Sequence, residues 1–254
     1  MLAAMSWLIS DPYFYAVAVP AVLLMGISKS GFGGGFGSLC VPLMAIAVGV
    51  PRAAAIFMPV LLLCDLLGLA AYRREFDRSL LRLLLPWSLA GLLAGALLFK
   101  VTPAQVAAGV VGGLTLLFLL QRLMFPPRPD APPPPRWLGR VMAVLSGFTS
   151  FVAHAGGPPI NVYMIPQRLP PVTFTATLAV MFFVLNLSKW LPYAWLGLID
   201  TRNMVTSLVL LPLVPVGVWV GVRVARRIAP HWFYRLLYLG MLLTGSKLLW
   251  DAFA

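Results

Sequence analysis

Charged side chains are scarce in this sequence. Only 10% of its 254 residues are Asp, Glu, Lys or Arg, whereas an average soluble domain has about 25%. Hydrophobic residues make up 61% of the chain, and the mean hydropathy is +0.92. This composition excludes a soluble globular enzyme and a disordered chain, and it is typical of a protein embedded in a lipid bilayer.

Cysteine and histidine are equally sparse. Cys40 and Cys64 lie in apolar runs and predict small buried side chains rather than a disulfide framework. The two histidines, His154 and His231, are too far apart for a His-x3-His zinc motif, and Asp65 has no second acid within a predicted span. We therefore expect no metal and no other cofactor. An intramembrane enzyme, an ion channel and a cation carrier are all disfavoured.

Long uncharged runs indicate helices that cross a membrane, for which about 20 apolar residues are needed. We predict an all-α polytopic protein with eight to ten crossings. The sequence leaves open whether the two short segments, 36–49 and 158–166, cross fully. No Lys or Arg precedes Lys29, so a cleavable signal peptide is not expected. The predicted segments are 13–31, 36–49, 52–72, 79–99, 103–123, 138–153, 158–166, 172–197, 203–222 and 231–250.

Two halves of the chain resemble each other. We predict a first repeat of five segments in residues 1–125, a proline-rich cytoplasmic linker in 126–136, and a second repeat of five segments in 137–254. An odd number of segments inverts the second copy relative to the first, as in many transporters. The recurring features are Leu85-Pro86-x4-Gly91-x3-Gly95 with Leu211-Pro212-x4-Gly217-x3-Gly221, and Gly34-Gly35 with Gly156-Gly157.

The distribution of positive charge predicts the orientation. With the 73–82 loop in the cytoplasm, thirteen Lys and Arg residues lie inside and four outside, and both termini lie outside. These cations occupy short loops, so they do not form a nucleic-acid-binding face. Trp190, Tyr193 and Trp195 are expected to form an interfacial belt.

Glycine-rich stretches interrupt both repeats, at residues 28–37 and 150–159. Unwound backbone is tolerated inside a membrane only beside protein or a watery cavity. A helix follows each stretch, and its N-terminus favours a negative ion. We therefore predict an anion site where the two breaks meet. The expected substrate-binding residues are Ser28, Lys29, Ser30, Gly33, Gly34, Gly35, Ser150, His154, Gly156, Gly157, Asn161 and Asn186.

A few polar side chains within spans are candidates for coupling transport to a second ion. Lys29 contacts the substrate, pairs with Asp65, or snorkels toward the membrane surface. Asp65 aligns with Asn186 between the repeats. Lys189 shares a helix face with Asn186, or lies near the outer interface. His154 is either a proton relay or a buried structural histidine. The coupling candidates are therefore Asp65, His154 and Lys189.

Two motifs resemble those of a known family. Residues 26–42, GISKSGFGGGFGSLCVP, resemble the first signature of the TauE/SafE sulfite exporter family, and residues 145–166, LSGFTSFVAHAGGPPINVYMIP, resemble its second. The resemblance covers nearly the whole chain. It implies a multi-pass carrier of the bacterial inner membrane that moves sulfite, sulfonates or related sulfur oxyanions.

On this basis we predict a secondary transporter that exports a small sulfur oxyanion, sulfite above all, by alternating access. Import of organosulfonates or other sulfur anions is the closest alternative, followed by an intramembrane enzyme. The expected partners are the anion and the lipid bilayer. The sequence leaves open a homodimer, the identity of the anion and the direction of transport.

Overall fold

The computed structural model describes residues 9, 11–99, 101, 103–124, 132–197 and 199–253, and within these ranges it contains helices and no strand. The all-α prediction is confirmed. The predicted linker, 126–136, lies mostly outside the described residues. The helices are α1 (Pro12–Phe32), α2 (Gly37–Val48), α3 (Val50–Tyr72), α4 (Arg78–Leu98), α5 (Ala104–Met124), α6 (Arg136–Ala153), α7 (Gly157–Met164), α8 (Pro171–Trp195), α9 (Thr201–Leu210), α10 (Leu213–Arg227) and α11 (Pro230–Phe253).

Three of the few acidic side chains mark where helices begin. Asp11, Asp77 and Asp200 are the N-cap residues of α1, α4 and α9. Each carboxylate accepts a backbone N–H from the first turn, as Asp77 does from Ser79 and Leu80 at 2.8 and 3.0 Å. Since the first N–H groups of a helix have no intrahelical partner, these caps fix the helix starts.

The prediction of one helix over 203–222 is wrong. The segment is divided into α9 and α10, which are bent by 54°. Pro212 and Pro215 have no N–H, so two i→i−4 hydrogen bonds cannot form there. Pro86, which the sequence pattern aligns with Pro212, lies inside the continuous helix α4. The residue aligned with Pro215 is Leu89, which keeps its N–H.

Four helices are long and apolar enough to span a bilayer, namely α1, most of α3, α4 and α8, and the bent pair α9–α10 makes a fifth. This count, taken over the described residues, is lower than the eight to ten crossings predicted. Helices α2 and α7 are short, and α6 carries Arg136 and Arg140 in its first turns. The candidate spans support a multi-pass membrane protein.

The helices pair across the two halves of the chain. Helix α1 packs on α10, α4 on α6, α5 on α11, and α3 on α8. Glycines permit the closest of these contacts. A Cβ atom on Gly91 of α4 would lie 2.0 Å from the Val144 carbonyl oxygen, and one on Gly217 of α10 would lie 2.8 Å from the Leu23 carbonyl oxygen. The pairs bring the ends of α1 and α6 together at the centre.

Many large apolar side chains face outward. Leu97, Leu117 and Leu191 are 69%, 64% and 81% exposed. In water such a surface would be an aggregation site, whereas in a bilayer it contacts acyl chains. Trp195 is 78% exposed, in agreement with an interfacial position.

Replacing Gly91 with Ala should force α4 away from α6, because the added Cβ collides with backbone. We expect a loss of about 1–3 kcal/mol or more, measured as a lower thermal midpoint in detergent. Gly113→Ala is the matched control, since nothing lies within 4 Å of a Cβ there and Ala favours the helix by about 1 kcal/mol. Equal midpoints for the two variants would contradict the close-packing account.

Candidate functional site

The first break follows α1, and Ser28 of α1 accepts hydrogen bonds from its backbone. Gly33 and Gly34 have φ angles of 56° and 83°, which glycine adopts without a Cβ penalty. The Gly34 N–H donates to the Ser28 carbonyl at 2.9 Å, and the Phe36 N–H donates to Ser28 Oγ at 2.9 Å. These bonds give the backbone N–H groups of the break partners within the protein. The N-terminus of α2 is directed inward.

The second break repeats this geometry with a different residue. His154 is the C-cap residue of α6, as Gly33 is of α1, and it has a φ of 51°. The Ala155 N–H donates to the Thr149 carbonyl at 3.2 Å. Left-handed backbone costs a non-glycine residue roughly 1–2 kcal/mol. Ser146 Oγ donates to the Gly156 carbonyl at 2.7 Å. The strained backbone holds the imidazole at the break.

The two breaks touch each other. A Cβ atom on Gly157 would lie 2.8 Å from the Gly34 carbonyl oxygen, so only glycine permits this approach. Gly156 is enclosed as closely, since a Cβ there would lie 2.8 Å from the Ser150 Cβ. Both α2 and α7 therefore begin beside the same point, and their first N–H groups and positive helix ends converge on it.

A small cavity of about 40 Å³ lies at this junction. Each water-sized sphere needs roughly 10–15 Å³ of such space, so the cavity suits an ion of about three or four heavy atoms. Eight of the predicted site and coupling residues line it: Lys29, Gly34, Ser150, His154, Gly156, Gly157, Asn186 and Lys189.

A buried charged network adjoins the cavity. Lys29 forms an ion pair with Asp65, and Asn186 Nδ2 donates to Asp65 Oδ2 at 2.6 Å. Lys189 Nζ donates to Asn186 Oδ1 at 3.0 Å and is only 1% exposed. Lys189 therefore contacts Asn186 on the helix face that the two residues share. With two ammonium groups and one carboxylate, the network favours an anion over a cation.

Two tyrosines hold matching carbonyl groups beside the breaks. Tyr72 donates its hydroxyl to the Ser30 carbonyl, and Tyr193 donates to the Phe151 carbonyl at 2.9 Å. The donor and acceptor are 42 residues apart in both cases. Each carbonyl belongs to the last turn of a helix, where no intrahelical N–H is available. Each tyrosine thus ties a helix end to the following long helix.

The prediction that Tyr193 belongs to an interfacial belt is wrong. Its side chain is 4% exposed, because the unpaired Phe151 carbonyl requires a donor inside the protein. His154 Nε2 also lies 3.2 Å from the Tyr193 hydroxyl oxygen. Since that hydroxyl donates to Phe151, it accepts from His154 Nε2–H, so Nε2 carries a proton in this arrangement. His154 Nδ1 is buried without a hydrogen-bond partner among the described residues.

Other predicted site residues lie beside the cavity wall or farther away. Ser30 Oγ donates to the Gly26 and Val218 carbonyls at 2.6 and 3.1 Å, which joins α1 to α10. Asn161 is fully buried on α7, and neither of its amide atoms has a partner in the described part of the chain. The predicted residues that do not line the cavity are Ser28, Ser30, Gly33, Gly35, Asn161 and Asp65.

Several lining residues were not predicted from the sequence. Ser38 in the first turn of α2 is 4% exposed, and its hydroxyl has no partner among the described residues. The Phe182 ring lies 5.6 Å from Lys29 Nζ and supplies a weak cation–π contact. Ser38 follows the glycine run directly, which is a usable signal, whereas nothing distinguishes Phe182 from other apolar residues. The remaining unpredicted lining residues are Met25, Gly37 and Leu61.

A protein-family model described as "Sulfite exporter TauE/SafE" matches residues 18–248 of the chain. The match includes both breaks and the charged network, and it confirms the resemblance noted in the sequence. It also identifies a transporter rather than an enzyme. No curated protein and no solved structure matched the chain.

Replacing Asp65 with Leu leaves Lys29 and Lys189 buried without a carboxylate. Removing one partner of a buried ion pair costs about 3–5 kcal/mol, so we expect a clearly lower thermal midpoint, followed by tryptophan fluorescence in detergent. The double variant Lys29→Met/Asp65→Leu removes the pair and should recover part of this loss. A double variant as unstable as Asp65→Leu would show that the ion pair does not set the stability of the network.

Proposed function

This chain belongs to the TauE/SafE sulfite exporter family, and we propose that it exports a small sulfur oxyanion, sulfite above all, by alternating access. The observation that carries the proposal is the cavity where two helix N-termini and two lysines converge. Sulfite offers acceptor oxygens, and the site offers donors: the ammonium groups, the hydroxyls of Ser38 and Ser150, and backbone N–H groups.

The size of the cavity favours sulfite over larger sulfonates. Its volume of about 40 Å³ matches an ion of four heavy atoms, whereas an organosulfonate adds a carbon chain that would have to displace Phe182 or Leu61. Import of organosulfonates is therefore the second candidate. An intramembrane enzyme is not favoured, since the family consists of transporters.

The proposal includes two inverted repeats as the moving parts. Three observations support it: the matching breaks, the two tyrosine–carbonyl bonds with one spacing, and the reciprocal packing of α1 on α10 and α4 on α6. Inverted repeats of this kind rock around a central site. In this proposal the hydrogen bonds of Tyr72 and Tyr193 are latches: each holds one of the two openings of the cavity closed.

We further propose export across the bacterial inner membrane, with the 73–82 loop in the cytoplasm and both termini outside. Basic residues concentrate in the loops on that side, in agreement with the positive-inside rule. A membrane potential that is negative inside favours anion efflux by about 2.3 kcal/mol per charge per 100 mV. The potential and the anion gradient together suffice to drive export.

His154 is the proposed proton-coupling residue. Its Nδ1 lacks a partner, so in the neutral tautomer it is a free acceptor at the cavity. A protonated sulfite ion could donate to it, and a protonated imidazole would donate to a sulfite oxygen. Either arrangement links one proton to one anion. Asp65 and Lys189 would adjust the charge balance when that proton moves.

Replacing Lys29 with Gln should lower sulfite flux by about 10–100-fold, since a hydrogen bond from a charged group contributes roughly 1.5–3 kcal/mol. Flux is measured in reconstituted vesicles as solid-supported-membrane current and as uptake of labelled sulfite, which also detects electroneutral exchange. Lys189→Gln tests the second ammonium group. Lys247→Gln is the control, because Lys247 is exposed and pairs with Asp251 at the surface.

The anion panel for this assay contains sulfite, thiosulfate, sulfate, methanesulfonate and chloride. Selectivity for sulfite that is lost in Lys29→Gln but retained in Lys247→Gln supports the proposal. A response to methanesulfonate that exceeds the response to sulfite would favour organosulfonate transport. Equal flux in wild type and in a folded Lys29→Gln variant would remove Lys29 from the site.

Tyr72→Phe and Tyr193→Phe should bias the transporter toward opposite openings. Each change leaves one carbonyl without its donor. This destabilises the closed state of that opening by about 1–3 kcal/mol. The reporter is Ser38→Cys in a chain without native cysteines, labelled from either side by an impermeant thiol reagent. We expect each variant to accelerate labelling from a different side, with Tyr13→Phe, at an exposed tyrosine, as control. Acceleration from the same side by both variants would contradict the latch assignment.

A further inference from the structure

Far from the breaks, the C-terminal turns of α10 carry a stripe that combines one tryptophan and two arginines. Trp219, Arg223 and Arg227 are spaced four residues apart, so they lie in a line along one face of the helix. All three side chains are exposed. The Arg223 guanidinium lies 4.5 Å from the centre of the Trp219 ring, a stacked arrangement that fixes its position.

An apolar surface lies along each side of this stripe. One is a groove of about 420 Å³ between α3 and α10, with apolar walls that include Leu67, Val218 and Val222. The other is a shallow, open surface formed by α10 and the residue that follows it, among them Val220, Val224 and Ile228. Trp219, Arg223 and Arg227 border both. The stripe therefore separates a groove from an open apolar surface and places positive charge at their shared end.

The two arginines of the stripe have no acidic partner among the described residues. Their neighbour Arg226 differs, because it donates to Glu75 Oε1 at 2.7 Å and to the Ala71 carbonyl at 2.9 Å. Arg226 thus serves to hold α10 against the end of α3. Arg223 and Arg227 retain free N–H groups, whose planar arrangement suits the oxygens of a phosphate.

Helix packing does not require this stripe. The repeat that aligns Gly91 and Gly95 with Gly217 and Gly221 aligns the stripe with Leu93, Leu97 and Val101. Those residues are apolar and are 59%, 69% and 73% exposed. The first repeat therefore presents an ordinary lipid-facing surface at the equivalent place, and the arginines and tryptophan are specific to α10.

We propose that this surface binds one anionic diacyl phospholipid, with its phosphate between Arg223 and Arg227, one acyl chain in the groove between α3 and α10, and the other chain along the open apolar surface of α10. In a bilayer, acyl chains are the apolar material available to cover both surfaces. A diacyl lipid has two chains and one phosphate, which matches two apolar surfaces joined at one cationic stripe. Basic pockets between membrane helices bind anionic headgroups by the same electrostatic attraction.

Native mass spectrometry of the full-length chain, released from detergent with equal amounts of phosphatidylglycerol and phosphatidylcholine, tests the proposal. We expect one retained phosphatidylglycerol, and a bound fraction that falls about tenfold or more in Arg223→Gln/Arg227→Gln. Arg235→Gln is the matched control, because Arg235 is exposed and stacks on Trp232 at 5.2 Å but borders neither apolar surface. Excess inorganic phosphate or sulfite should not displace the lipid.

Three results would overturn the proposal: unchanged retention in Arg223→Gln/Arg227→Gln, equal retention of phosphatidylcholine, or displacement by free phosphate. A measurement on the unmutated chain makes the same distinction without relying on a folded variant. Phosphatidylglycerol with brominated chains should quench tryptophan fluorescence more strongly than brominated phosphatidylcholine at the same mole fraction. Equal quenching by the two lipids would show that the surface does not prefer the anionic headgroup. The arginines would then only orient α10 in the membrane.

Discussion

Backbone that leaves a helix inside a membrane must find hydrogen-bond partners within the protein. Both breaks obey this constraint through matched devices: a turn closed onto the preceding helix, and a tyrosine that binds a carbonyl of its last turn. The backbone groups of each break thus have hydrogen-bond partners within the protein. The two breaks can therefore lie against each other, and Gly157 approaches Gly34 there. The cavity and its two helix N-termini follow from that contact.

The charged network beside the cavity is the basis of the proposed selectivity for an anion. Burying Lys29, Asp65 and Lys189 is costly unless they pair with one another or with a ligand. The pair of Lys29 with Asp65, linked through Asn186 to Lys189, reduces the cost and leaves the Lys189 amine without a carboxylate of its own. In the proposed function, an anion in the cavity supplies that missing partner. The proposal then implies that the bound ion stabilises the protein and that its release requires the network to rearrange.

Periodicity, glycine runs and charge placement predicted much of this. The all-helical fold was accessible because long uncharged runs mark it, and the glycine runs mark the two stretches predicted to be breaks. The pairing of Lys29 with Asp65 was one of the alternatives that the sequence left open. The bend at Pro212 was missed because Pro86 occupies the same place in an unbroken helix, and the effect depends on a second proline. The position of Phe182 at the cavity and the hydrogen bond of Tyr193 depend on tertiary contacts, which a local sequence pattern does not indicate.

The most direct test of the account is a crystal structure of the protein with selenite, an analogue of sulfite whose selenium can be located by anomalous scattering. The account predicts a single strong selenium peak in the cavity between Gly34 and Gly157, within hydrogen-bonding reach of Lys29 or Lys189. A peak elsewhere in the protein, with this cavity empty under conditions where sulfite is transported, would contradict it.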